Sequence, residues 1–98
     1  MMAELEPRPA LKWFAQQMEA KLRACDYKGG WDALSFGQLF SMLRDEAREL
    51  WDVIFYTGFE PEIIEEAADV ANFCMMIADI ARARMNEREA RGGKRDDC

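Results

Sequence analysis

The sequence predicts an all-α fold, in which an N-terminal helix and a helical hairpin complete four-helix bundles by homo-oligomerisation. Apolar residues recur at three- and four-residue steps along three segments, and no segment alternates like a strand. The breaks between the segments hold glycine, proline or a capping pattern.

The first helix is expected from Pro9, which suits the first helical position, to about Cys25. Its stripe is Leu11, Phe14, Ala15, Met18, Leu22 and Cys25, with Lys12, Gln16, Glu19 and Arg23 facing water. Gly29 and Gly30 then break the helix. Ser35 and Gln38 fit a capping box and Leu34 and Leu39 a hydrophobic staple, so the second helix starts at Ser35. It is expected to reach about Tyr56, closed by a left-handed Gly58. Pro61 lies in the first turn of the third helix, which runs to about Met85 or beyond. Residues 1–90 are read as a single domain, and the polar segment 91–98 as a disordered tail.

The third helix is unusual. Between Ala67 and Ala81, 12 of 15 residues are apolar, so it needs cover on several sides. Two other helices of a 98-residue chain can hardly supply that, so a homodimer or homotetramer is expected. The same stretch contains Asp69, Asn72 and Asp79 and is too short and polar to span a membrane.

The net charge of −6 argues against a nucleic acid polymer as partner. Residues 45–69 carry nine acids against one base, Arg48. The chain has no histidine, which removes the usual general base and the commonest zinc ligand and leaves carboxylate chemistry. Cys25, Cys74 and Cys98 form no paired motif and are expected as reduced thiols in a cytoplasmic protein, Cys74 as a small core residue. The acids and prolines near the N-terminus do not resemble an export signal.

Glu46 and Glu49 on the second helix, and Glu66 and Asp69 on the third, are two acid pairs, each lying along one side of its helix. In projection, Leu39, Leu43, Ala47, Leu50 and Ile54 form the inner face of the second helix, with Glu46 and Glu49 on its flank. Glu62, Glu66 and Asp69 group with Phe73, Met76 and Ile80 on the third. Carboxylates gathered in a half-buried place must take up protons, find cations or bind metal. An all-oxygen ligand set favours Mg²⁺, or Mn²⁺, over zinc. Set against this is the reading of acid-rich helices as ordinary solvated faces.

Glu46-x-x-Glu49, a 16-residue spacer and Glu66-x-x-Asp69 on the following helix resemble the signature of the MazG-like all-alpha nucleoside triphosphate pyrophosphohydrolases. The strings 43–50 and 65–72 are similar to that family's helices, and the resemblance covers roughly residues 10 to 86. It implies hydrolysis between the α and β phosphates, giving a nucleoside monophosphate and pyrophosphate. It further implies Glu46, Glu49, Glu66 and Asp69 as catalytic Mg²⁺ ligands, and cleaning of the nucleotide pool as a role. Glu65, Glu62 and Asp45 are candidate bases. Lys28 is expected to meet phosphate, Trp31 to stack on the base, and Asn72 to contact sugar or base. Met42, Phe73, Met75 and Met76 are assigned to the core. Many members of the family are longer and have a fourth helix. The rival from another class is a non-catalytic acidic helical oligomerisation module. A dUTP, dCTP or phosphoribosyl-ATP hydrolase is the rival within the superfamily.

Overall fold

The computed structural model describes residues 5–92, apart from the side chain of Tyr27. Three α-helices account for most of them, and no strand occurs among the described residues.

Helix α1 spans Pro9–Ala24, with its proline in the first turn and Lys21 and Arg23 in the last, where cations complement the helix dipole. It ends one residue before the expected Cys25, which leads into a 3-10 turn, Asp26–Lys28. Gly29 follows at φ +93°, a conformation that side-chain-bearing residues rarely adopt.

Helix α2 spans Phe36–Asp52 and starts as the capping pattern predicts. The Gln38 backbone N–H donates to Ser35 Oγ at 3.0 Å, and the Ser35 N–H donates to Gln38 Oε1 at 2.9 Å. The expected continuation to Tyr56 is helical but widened into a π-helical turn, Val53–Thr57. There the Thr57 hydroxyl donates back to the Val53 carbonyl at 3.0 Å, which the Gly58 N–H also meets at 2.7 Å. Gly58 at φ +64° then turns the chain, as its position predicts.

Helix α3 spans Glu60–Ala90, five residues past Met85. It is the central element, and α1 and α2 are both laid on it rather than on each other. The fully covered residues are few: Leu39, Ala68, Ile80 and the polar Asn72. The tail expected at 91–98 begins with a turn at Arg91 and Gly92, and its remainder lies outside the described residues.

Two expectations about faces are corrected. Leu39 is buried and Leu43, Leu50 and Val53 are half-buried, but Ala47 and Ile54, placed on the inner face of α2, are exposed. The helix is rotated so that Glu46 turns inward and an apolar stripe of Phe36, Phe40, Ala47, Trp51, Ile54 and Phe55 stays open. Cys74, expected in the core, is exposed, because α1 and α2 leave one side of α3 uncovered. Cys25 and Cys74 are free thiols, and Cys98 lies outside the described residues. Among the described residues no helix is long and apolar enough to cross a membrane.

Candidate functional site

The inward rotation of α2 places Glu46 opposite Glu66 and Asp69 of α3. One oxygen from each of the three carboxylates lies within 4.8 Å of the other two. All three side chains are half-buried, and Glu46 Oε1 and Glu66 Oε1 are shielded from water without a hydrogen-bond partner. Glu49, the fourth acid of the motif, is exposed and outside the triad, although its charge still reaches Glu46 and Glu66.

The electrostatics follow from that crowding. Burial pushes the Glu46 carboxyl up to about 7, helped by the charges of Glu49, Asp69 and Glu66. Burial, with Asp69 and Glu49, also raises Glu66, while a proton donated by Glu46 and the charge of Lys21 pull it back. Crowding and burial thus favour the protonated form of both carboxyls.

Lys21 is the residue that sequence reasoning missed. Its Nζ lies 3.5 Å from Asp69 Oδ2, so α1 brings a cation to the edge of the acids. The available signal was its register, one turn after Met18 and two after Phe14, on the flank of the apolar stripe.

The donor set fits a hard divalent cation. Oxygens on one Mg²⁺ at about 2.1 Å stand at most about 4.2 Å apart. Only one pair of three such oxygens can stand opposite each other, and the other pairs lie about 3.0 Å apart, so a spread of up to 4.8 Å closes with side-chain shifts on the order of 1 Å. Three protein oxygens leave coordination positions for water and phosphate, as Mg²⁺ prefers. The two unpartnered buried oxygens belong to two of these three carboxylates, whose lost hydration such an ion would offset.

Beside the acids lies a cavity of about 320 Å³, whose wall includes Asp69, Lys21, Lys28, Trp31 and Asn72. The three side chains expected to meet substrate are thus in one cavity with one of the acids. Asn72 is only 4% exposed, and its Nδ2 donates to the Met18 carbonyl of α1 at 3.0 Å. Its Oδ1 is buried without a partner. Asn72 is therefore a structural amide that retains an unused acceptor. Trp31 is half-buried and donates from Nε1 to Asp79 Oδ2 at 3.1 Å. Met42, Phe73 and Met76, assigned to the core, instead line this cavity, and Met75 lines a shallower depression with Ala78, Asp79 and Arg82. The candidate bases Glu65, Glu62 and Asp45 are all exposed.

Compared with protein-family models, curated proteins and solved structures, the chain matches none.

Proposed function

We propose that the chain is a Mg²⁺-dependent nucleoside triphosphate pyrophosphohydrolase, converting a (deoxy)nucleoside triphosphate and water to the monophosphate and pyrophosphate. The observation that carries this reading is the convergence of Glu46, Glu66 and Asp69 at the edge of a cavity that also holds Lys21, Lys28, Trp31 and Asn72. That cavity joins an acid end, cations for phosphate oxygens and an aromatic wall for a base.

In this reading Glu46, Glu66 and Asp69 hold Mg²⁺, with Glu49 joining them from its exposed position. The ion, when bound, supplies charge neutralisation for the triphosphate and lowers the pKa of a water. Lys21 and Lys28 meet phosphate oxygens, Trp31 offers a stacking face, and Asn72 Oδ1 accepts a hydrogen bond from the ligand. Water adds to the α phosphorus as the bond to the bridging oxygen breaks, and pyrophosphate carries away that electron pair. The protein works in the cytoplasm as a homodimer or homotetramer.

A second reading has an observation of its own. Phe40, Trp51 and Phe55 are each more than half exposed on one face of α2, which suits a non-catalytic oligomerisation module whose acids keep it soluble. An assay of pyrophosphate release over natural, deoxy and damaged nucleotides, with Mg²⁺ and with chelator, separates the two. The hydrolase releases pyrophosphate only with the metal and loses this in Glu49→Ala and Asp69→Ala, while circular dichroism shows an intact fold. No release from any nucleotide defeats the hydrolase.

A further inference from the structure

Asp79 has no part in the acid triad, yet it lies within the apolar stretch of α3 and both its oxygens are engaged. Oδ2 accepts from the Trp31 indole at 3.1 Å, and Oδ1 accepts from Arg82 Nη2 at 2.5 Å. The Arg82 bond first, and the Trp31 bond second, hold its carboxyl below the ordinary range, which favours the ionised, accepting form.

Its place on the helix gives the arrangement a direction. Asp69, Asn72, Phe73 and Met76 line the cavity along successive turns of α3, and Asp79 lies one turn beyond Met76. Ten residues, about 15 Å of helix, separate Asp79 from Asp69. The cavity thus has an acid end and, away from it, an end where the indole is tied down. Gly29 and Gly30 precede Trp31 and bring no side chain that could brace its ring, so the Asp79 bond is the hydrogen bond that holds the indole among the described residues.

We propose that Asp79 is a positioning residue, which tethers the Trp31 indole through Nε1 so that the ring stands as a pre-formed stacking wall for the base of a bound nucleotide. This rests on the cavity being the nucleotide site proposed above. Holding the ring before the ligand arrives removes an ordering penalty from binding, so the effect falls on affinity rather than on chemistry.

The test compares Asp79→Ala, Asp79→Asn and Arg82→Ala with the wild type. Asparagine keeps an oxygen that accepts from the indole, alanine does not, and the arginine variant removes only the neighbouring ion pair. Steady-state kinetics use the best substrate among ATP, GTP, CTP, UTP and their deoxy forms. Acrylamide quenching of a protein retaining Trp31 alone, through Trp13→Phe and Trp51→Phe, reports on the ring, and circular dichroism monitors the fold. Asp79→Ala is expected to raise KM about tenfold, the loss of one well-made hydrogen bond, with kcat within about twofold. It is also expected to make Trp31 more quenchable. Asp79→Asn and Arg82→Ala are expected to stay close to wild type in both readouts. An unchanged KM or unchanged quenching in Asp79→Ala overturns the tether, as does an Asp79→Asn variant as impaired as the alanine one. A wild type that releases no pyrophosphate defeats the hydrolase reading instead, and the quenching comparison still upholds or overturns the tether.

Discussion

Replacing Glu46 with glutamine is expected to stabilise the metal-free protein at neutral and alkaline pH while abolishing pyrophosphate release. The Glu46 carboxyl is raised from 4.5 to about 7, so the folded state holds its proton more tightly than the unfolded chain does. Below about pH 4.5 both states are protonated and nothing is lost. Between about pH 4.5 and about pH 7 the unfolded chain ionises first, so stability falls as pH rises; above that the loss is complete. The gap is worth about 3.4 kcal/mol at most. Because the side chain is only partly shielded from water, ~1.5 kcal/mol is the expected size. For a domain of this length that is about 6–12 °C in Tm. Thermal unfolding in chelator, followed by circular dichroism from about pH 4 to about pH 9, should show a Glu46→Gln advantage that is near zero in acid and grows to that size. Millimolar Mg²⁺ should then raise the Tm of the wild type but not of the variant, since a ligand stabilises only the state that binds it. A Glu46→Gln advantage that does not change with pH, or an equal response of both proteins to Mg²⁺, would refute the crowded-carboxylate account.

Lys21→Gln removes the cation 3.5 Å from Asp69, and calorimetric titration is expected to show Mn²⁺ binding more tightly by about three- to tenfold, while triphosphate KM rises. The same variant should change stability by no more than about 1 kcal/mol, because the pair is partly exposed. Leu39→Ala opens a cavity at a fully buried large side chain and should cost about 2–5 kcal/mol in urea unfolding, most of what so small a domain has. Trp51→Glu combined with Phe55→Glu charges the open face of α2, and sedimentation should show a shift toward monomer with helicity unchanged.

Local chemistry was legible in the sequence, and of the contacts between distant segments only those along the apolar flanks of two helices were. The Ser35–Gln38 box and the left-handed Gly58 depend on residues within a few positions, and both are found where the pattern places them. Helical register put Glu46, Glu49, Glu66 and Asp69 on the flanks of apolar faces, and three of the four converge while Glu49 stays exposed outside the group. The rotation of α2 was less so: its apolar residues cover an arc wider than one neighbour can bury, so periodicity alone left the inner side ambiguous. Lys21 with Asp69, and Trp31 with Asp79, each join positions 48 apart in the chain, and one-dimensional spacing carries no trace of such pairs. Asn72 was expected to contact sugar or base; its bond to the Met18 carbonyl makes it a structural amide first, and its second polar atom is left as an acceptor.

The site and the weakness of the core have one physical origin. Helix α3 must bury Ala68, Asn72 and Ile80 while presenting Glu66 and Asp69 one turn apart beside them, so part of its limited contact with α2 is given to carboxylates that repel. Relief comes from protonating Glu46 and from Lys21, and the divalent ion of the proposed function would neutralise more of the charge than either. Apolar packing cannot make up the difference within one chain, because α1 and α2 leave a side of α3 open and keep Phe40, Trp51 and Phe55 in water. A cation at the α2–α3 seam and apolar cover on the outer face of α2, both as proposed above, would therefore act on the same helix from different sides. In the proposed function, an ion that fixed α2 against α3 would also hold the open stripe of α2 in one orientation, so Mg²⁺ is expected to lower the concentration at which sedimentation detects association, and an unchanged midpoint refutes that link.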